Sequence, residues 1–227
     1  MKTVRVFKVS KPGRADEALR KRIVFESREL FLRRGFAPVT TGAIAERLGI
    51  SKATLYKYFS SKDEMLRAVV DTIKAEVLAG VEAVVADTST DFLGKLARLL
   101  THLGDWLSRL DRVLAGDLRR NAPEVWEDIE RFRREKILVN FTALLEAGVA
   151  EGVVRADLDR ELFLRMFLDL VQNFIVPDAL IESRRSAREV LETLFKVVFE
   201  GILTDRSRVR LADRRSDPFG TVKEVPE

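Results

Sequence analysis

The tightest constraint on this chain is a three-residue turn, Gly49-Ile50-Ser51, with a short helical pattern on each side. Before it, Ile44, Ala45 and Leu48 recur at helical spacing, and Gly49 supplies the left-handed position that ends a helix without a Cβ clash. After it, Ser51 can cap a second helix, which buries Leu55 and Phe59 four residues apart. Lys52, Ala53, Tyr56 and Lys57 then gather on a face pointing largely elsewhere. Two short helices joined so tightly make a helix-turn-helix, in which one helix packs through a single stripe and offers its other side to the major groove.

The residues around that turn carry a resemblance. Phe31, Gly35, Thr40, Thr41, Ile44, Ala45, Gly49, Ser51, Leu55, Tyr56, Phe59, Lys62 and Leu66 fall at matching positions, with FLRRGF upstream and TLYKYF running into SSKDEML. Residues 18 to 66 thus resemble the DNA-binding domain of the tetracycline-repressor (TetR) family of bacterial transcription regulators. The resemblance implies DNA contact by Thr40, Thr41, Ser51, Lys52, Ala53, Thr54, Tyr56, Lys57, Tyr58 and Lys62. Lys52 is placed to reach base edges, Lys62 a phosphate, and the Thr40-Thr41 corner a phosphate through hydroxyl and backbone N–H groups. For Tyr56 and Tyr58, packing between helices is the competing role.

Charge placement agrees with a DNA-facing end. Residues 1 to 62 hold 15 Lys/Arg against 5 Asp/Glu, a net +10, so a chain of net +4 carries −6 over the remainder. A basic end on an acidic body is the footprint of a molecule that meets phosphate at one end. With 227 residues, two modest domains fit better than one.

The chain contains no cysteine, which removes disulfides, thiolate metal sites and a cysteine nucleophile, and one histidine, His102, which cannot alone make a triad or a histidine-cluster metal site. No GxGxxG or P-loop motif appears, and Asp and Glu fall on solvated helical faces, so neither catalysis, a cofactor nor a metal is expected. No apolar run approaches the ~20 residues of a membrane span, and the first residues lack a signal-peptide core, so a cytoplasmic protein is expected.

Amphipathic helical patterns dominate and strand-like alternation is nearly absent, predicting an all-α fold of about nine helices. Residues 1–15 read as a basic arm, 16–60 as a three-helix DNA-binding domain, 61–204 as a helical ligand-binding and dimerisation domain, and 205–227 as a weakly ordered tail. The first helix runs from Asp16 to Arg34 with Leu19, Ile23, Leu30 and Phe31 inward, and a fourth opens at a Ser61/Glu64 capping box. After the polar break DTSTD, apolar positions run from Phe92 to Leu110. Asn121 is expected to cap the next helix, which Gly148 and Gly152 close. Two apolar helices follow, Asp159 to Ile175 and Ser186 to Leu203, the latter opened by a Ser186/Glu189 box.

Family resemblance implies a small-molecule pocket in the C-terminal domain, for which Leu103, Trp106, Leu107, Phe141, Phe167, Val171 and Phe174 are candidates. Plain core is the competing role at each position. His102 reads as a structural histidine. The last two helices have more apolar surface than one chain can cover, and Leu191, Leu194, Phe195, Val198 and Phe199 are candidates for a homodimer interface. The expected function is a sequence-specific regulator, a repressor that binds a palindromic operator as a dimer and is released by a mainly apolar ligand. The alternatives are a ligand-independent DNA-organising protein and an all-helical interaction module or enzyme whose helix-turn-helix is incidental.

Overall fold

A computed structural model of the chain describes residues 14–109, 112–174 and 187–208. Most of the basic arm and nearly all of the tail lie outside them. The described residues form ten α-helices and one π-helical segment, with a single isolated bridge in place of any strand. The chain divides into two compact units, residues 1–69 and 70–227.

The first unit contains α1 (Arg14–Arg34), α2 (Thr41–Leu48), α3 (Lys52–Tyr58) and the opening turns of α4 (Lys62–Ala86). Gly35 ends α1 at φ 83°, its N–H returning to Phe31 O at 2.9 Å. Ile23, Phe31, Ile44, Leu55, Phe59, Met65 and Leu66 are all sealed from solvent at 1% exposure or less. Ser27, on the inward face of α1, donates its hydroxyl to Met65 Sδ at 3.9 Å. This packing explains why the unit extends to residue 69: the first turns of α4 complete its core. The capping box at α4 is shifted by one residue. Glu64 N donates to Ser61 Oγ, but the Glu64 carboxylate reaches back to Ser60, accepting its N–H at 2.6 Å and its hydroxyl at 2.8 Å.

The second unit holds the rest of α4 with α5 (Phe92–Arg109), α6 (Arg112–Asn121), α7 (Pro123–Phe132), a π-helical turn (Arg133–Ile137), α8 (Leu138–Ala150), α9 (Arg160–Phe174) and α10 (Ala187–Ile202). Its core centres on phenylalanines: Phe199 meets Phe163 and Phe167 edge-on at 5.5 and 5.3 Å, and Phe167 lies 5.9 Å from Phe141. The connector after α8 pairs with the end of α10, Arg155 N donating to Ile202 O and Thr204 N to Val153 O.

Three local expectations are corrected here. Asn121 caps nothing at α7: it ends α6 and donates its amide to Asp117 Oδ1, while Ala122 takes the cap position ahead of Pro123. The single helix expected from Asn121 to Gly148 is instead α7, a π-helical turn and α8. Gly148 sits inside α8, where a Cβ would lie 2.6 Å from the Phe92 ring and 2.7 Å from Val154, so it serves close packing while Gly152 at φ 68° ends the helix. Ser186 lies outside the described residues.

Candidate nucleic-acid interface

The two helices at the turn are held by their own polar side chains. Thr40, in extended backbone, caps α2 by accepting from Ala43 N at 3.1 Å. Gly49 ends it at φ 68°, ψ 31°, and Ile50 N closes onto Ala45 O at 3.0 Å. Ser51 immediately caps α3, accepting from Thr54 N at 3.0 Å with its hydroxyl 2.9 Å from that of Thr54. Leu55 and Phe59 turn inward, which leaves Lys52, Ala53, Tyr56 and Lys57 exposed on the opposite side of α3.

Lys52 does not simply extend into solvent. It lies across Gly42 in the first turn of α2, where a Cβ would come within 3.0 Å of its Cε and 3.3 Å of its Nζ. An ammonium is thereby set beside the first N–H groups of α2 and the Thr40 hydroxyl, a combination suited to an anion. Tyr56, 47% exposed, is tied to the same corner, its hydroxyl 3.2 Å from that of Thr41. Thr41 is half-buried as the first residue of α2. Thus Thr40, Thr41, Lys52 and Tyr56 come together, with Ala53 and Lys57 on the same exposed face.

Two proposed contacts have other roles. Tyr58 donates its hydroxyl to Asp16 Oδ1 at 2.8 Å, which pushes its pKa up and fastens the end of α3 to the start of α1. Lys62 donates to three carbonyl oxygens of the α1–α2 loop, Phe36 at 3.0 Å, Ala37 at 3.2 Å and Val39 at 3.0 Å, with its ammonium 4.2 Å from the centroid of the Phe36 ring. All three of its protons are used, so Lys62 is a clamp on the loop that leads into Thr40. The signal for this was its position: a cation in the first turn of a helix opposes the macrodipole and needs another reason to be there. Around the head, Arg47 pairs with Glu26, Arg20 lies 4.8 Å from the centroid of the Phe59 ring, and Ser60 holds the Glu64 carboxyl below its usual range.

In the second unit, Phe141 and Phe167 are core residues, while Leu103 and Trp106 are half-buried. The side chains of Leu107, Val171 and Phe174 lie outside the described set. His102 packs against α4, with Nε2 3.3 Å from Val77 O and its ring where a Cβ on Gly80 would be. Phe199 cannot serve an interface: at 2% exposure, packed edge-on to Phe163 and Phe167, it has no surface left to offer. Leu194 and Val198 are half-buried against the same core, and the side chains of Leu191 and Phe195 are not among those described. Among the described residues, the large apolar side chains that these last helices leave uncovered are Leu162 at 54%, Met166 at 56% and Val197 at 69% exposure. Among the described residues, no helix is long and apolar enough to cross a membrane.

Two short capped helices, one sealed into a core and exposing its far side beside a helix N-terminus, define a helix-turn-helix DNA-binding head. A family model described as bacterial regulatory proteins of the tetR family matches residues 23–69. Two HTH-type transcriptional regulators of Bacillus subtilis are similar over most of their length: YvaF, 28% identical over 82% of this chain and 96% of its own, and YdeS, 30% identical over 85% and 94%. A solved TetR/AcrR family regulator from Thermobifida fusca shares 26% identity at a TM-score of 0.62, covering 81% of this chain and 98% of its own. The chain belongs to the tetR family, and it is a DNA-binding transcriptional regulator.

Proposed function

We propose that the protein is a non-catalytic, cytoplasmic repressor that binds a palindromic operator as a homodimer and leaves it when a small molecule enters the second unit. The observation that carries this reading is the exposed face of α3, with Lys52 laid over Gly42 against the capped start of α2. In that reading, Lys52, Ala53, Tyr56 and Lys57 meet the groove, and Thr40, Thr41 and Ser51 meet phosphates. Thr54 supports the cap, and Tyr58 and Lys62 position the head. Occupying a promoter by a two-fold reading head is enough to block it, so repression needs no further partner.

Leu162, Met166 and Val197, uncovered on α9 and α10, support the dimer. Two-fold symmetry then sets half-sites about one helical turn apart, or a multiple of it. Release is linkage: a ligand weakens DNA affinity only by as much as it prefers the non-binding conformation, and a coupling of ~1–3 kcal/mol changes affinity roughly 5- to 150-fold. Lys52→Glu tests the reading head. Operator binding in a gel shift is expected to vanish while circular dichroism and sedimentation match the parent; retained binding would overturn the role of Lys52. Met166→Asp with Val197→Asp is expected to yield a monomer by sedimentation, and a persisting dimer would place the interface elsewhere.

A further inference from the structure

Lys52 is the first residue of α3, the end from which a groove-bound helix reaches base edges while the helix before it crosses the phosphate backbone. Its side chain runs the other way. The stem turns back over the first turn of α2, where Cε and Nζ lie 3.0 and 3.3 Å from the place a Cβ on Gly42 would take. The Thr40 hydroxyl lies 3.6 Å from the same point. Gly42 has no positive φ to accommodate, so the backbone does not demand a glycine there; what the missing side chain leaves open is the lane in which the lysine lies. Lys52 is exposed and, among the described residues, makes no ion pair or hydrogen bond.

Three kinds of donor therefore converge at the start of α2. The Thr40 hydroxyl accepts from Ala43 N and keeps its own proton to give, the first N–H groups of α2 have no partner further back in the helix, and the Lys52 ammonium stands over them. A phosphate, with a full negative charge and several acceptor oxygens, matches that set better than a base edge does. The rest of the exposed face changes meaning as a result. Ala53 presents a methyl group, and Tyr56, 47% exposed, has its hydroxyl 3.2 Å from that of Thr41, which leaves its ring as the surface it shows. Lys57 lies in the last turn, away from the end of the helix that reaches bases. In the major groove the apolar mark that distinguishes a base pair is the thymine C5-methyl.

We propose that Gly42 is a positioning residue that commits Lys52 to a backbone phosphate, and that the half-site is read instead by Ala53 and the Tyr56 ring through thymine methyl groups. This rests on the groove-facing reading of α3 above and moves Lys52 from the bases to the edge of the groove.

The probe is a pool of synthetic duplexes with a random core of about three helical turns, from which the full chain selects its preferred sequence. Binding of the selected duplex and of the unselected pool is then followed by fluorescence anisotropy across salt concentrations. Lys52→Met is expected to weaken both DNAs alike and to select the same sequence as the parent. It should also flatten the slope of log K against log salt by about 1.8 for two copies, so that raising salt from about 50 to 200 mM costs roughly twelvefold less affinity than it costs the parent. Gly42→Leu fills the lane and is expected to match Lys52→Met with no charge removed. Gly42→Ala asks the lysine to give only a few tenths of an ångström and is expected to fall between. The Gly42→Leu, Lys52→Met double variant is expected to bind as Lys52→Met does, because the leucine then has nothing to displace. Both Gly42 variants are expected to melt no lower than the parent, since alanine and leucine are better helix formers than glycine. Deoxyuridine in place of thymine removes only the methyl and is expected to weaken the parent roughly fourfold for each methyl buried, and Tyr56→Ala less. A Lys52→Met variant that loses a base preference with its slope intact, a double variant weaker than Lys52→Met alone, or a parent indifferent to deoxyuridine would overturn the assignment and leave the groove-facing reading standing. Lys52→Met binding both DNAs as the parent does at every salt concentration would defeat that reading of Lys52 as well.

Discussion

Replacing Lys62 with methionine separates a clamp from a phosphate contact. The ammonium donates to Phe36 O, Ala37 O and Val39 O at 3.0 to 3.2 Å and rests over the Phe36 ring. A hydrogen bond to a charged group contributes about 1.5–3 kcal/mol net, and three that share one ammonium do not add in full. Together with the ring contact, about 2–4 kcal/mol is at stake, against which relief of an unfavourable cation at a helix N-terminus returns about 0.3–1 kcal/mol. Urea denaturation followed by circular dichroism is therefore expected to show a net loss of about 1–4 kcal/mol. DNA binding distinguishes the mechanism. Each phosphate contact contributes about 0.9 to the slope of log K against log salt, so a lost contact in both copies of a dimer would flatten the slope by nearly two. A clamp predicts weaker binding at every salt concentration with the slope unchanged. A flattened slope with full stability would refute this reasoning.

Leu55→Ala, at a fully sealed site on the inward face of α3, is expected to lower the stability of the reading head by about 2–5 kcal/mol, read from the urea midpoint. Asp128 is held below its usual range chiefly by the hydrogen bond from Lys74, so it contributes stability above the unfolded carboxylate value of ~3.9 and loses it as pH falls through its lower folded value. Asp128→Asn should accordingly cost about 1 kcal/mol at neutral pH and make the acid limb of the stability profile shallower, as denaturation from pH 2 to 7 would show. Burial works against the charge on Lys74, but its bonds to Asp128 and Asp71 outweigh this and raise its pKa; its share of the pair therefore persists through neutral pH and disappears only in strong alkali. Gly80→Ala would set a Cβ 2.2 Å from the His102 ring and is expected to destabilise by about 1–3 kcal/mol, with most of the loss recovered in the Gly80→Ala, His102→Ala double variant.

The features legible in the sequence are the local ones. Thr40, Gly49 and Ser51 act within three or four residues of themselves, so residue type and spacing determine their roles. Ile44, Leu55 and Phe59 follow from helical period for the same reason. The bonds of Lys62 are not legible in the same way, because its acceptors lie 23 to 26 residues upstream, a relation no local pattern encodes. Period likewise showed that α10 has a wide apolar surface, but not which part its own chain would cover: Phe199 turned to the phenylalanine core and Val197 was left outside. Asn121 failed as a cap because Asp117, one turn back, captures its amide. The approach of Arg133 to the Trp126 ring, 5.7 Å from its centroid, also left no mark in the sequence, since Arg-Arg-Glu-Lys reads as a solvated run.

The net +10 of residues 1 to 62 overstates what this head can offer to DNA. Lys62 is spent on carbonyls, Arg47 on Glu26, and Arg20 on the Phe59 ring; Lys21 and Arg33 each lie beside a glutamate one turn away on α1. On the exposed face of α3 the cations are Lys52 and Lys57. Two per chain in a two-fold complex, at about 0.9 each, give a salt slope near −4, far shallower than the charge count suggests. Residues 1 to 13 hold Lys2, Arg5, Lys8 and Lys11, and their full engagement would steepen the slope to about −11. Fluorescence anisotropy across salt concentrations, on the full chain and on a form lacking residues 1–13, is expected to give the shallow value for both. A steep slope that relaxes on deletion would show the arm gripping the backbone and would make discrimination depend less on α3. The shallow slope leaves specificity with the paired heads: a weak electrostatic grip discriminates only when both half-sites are seated at once.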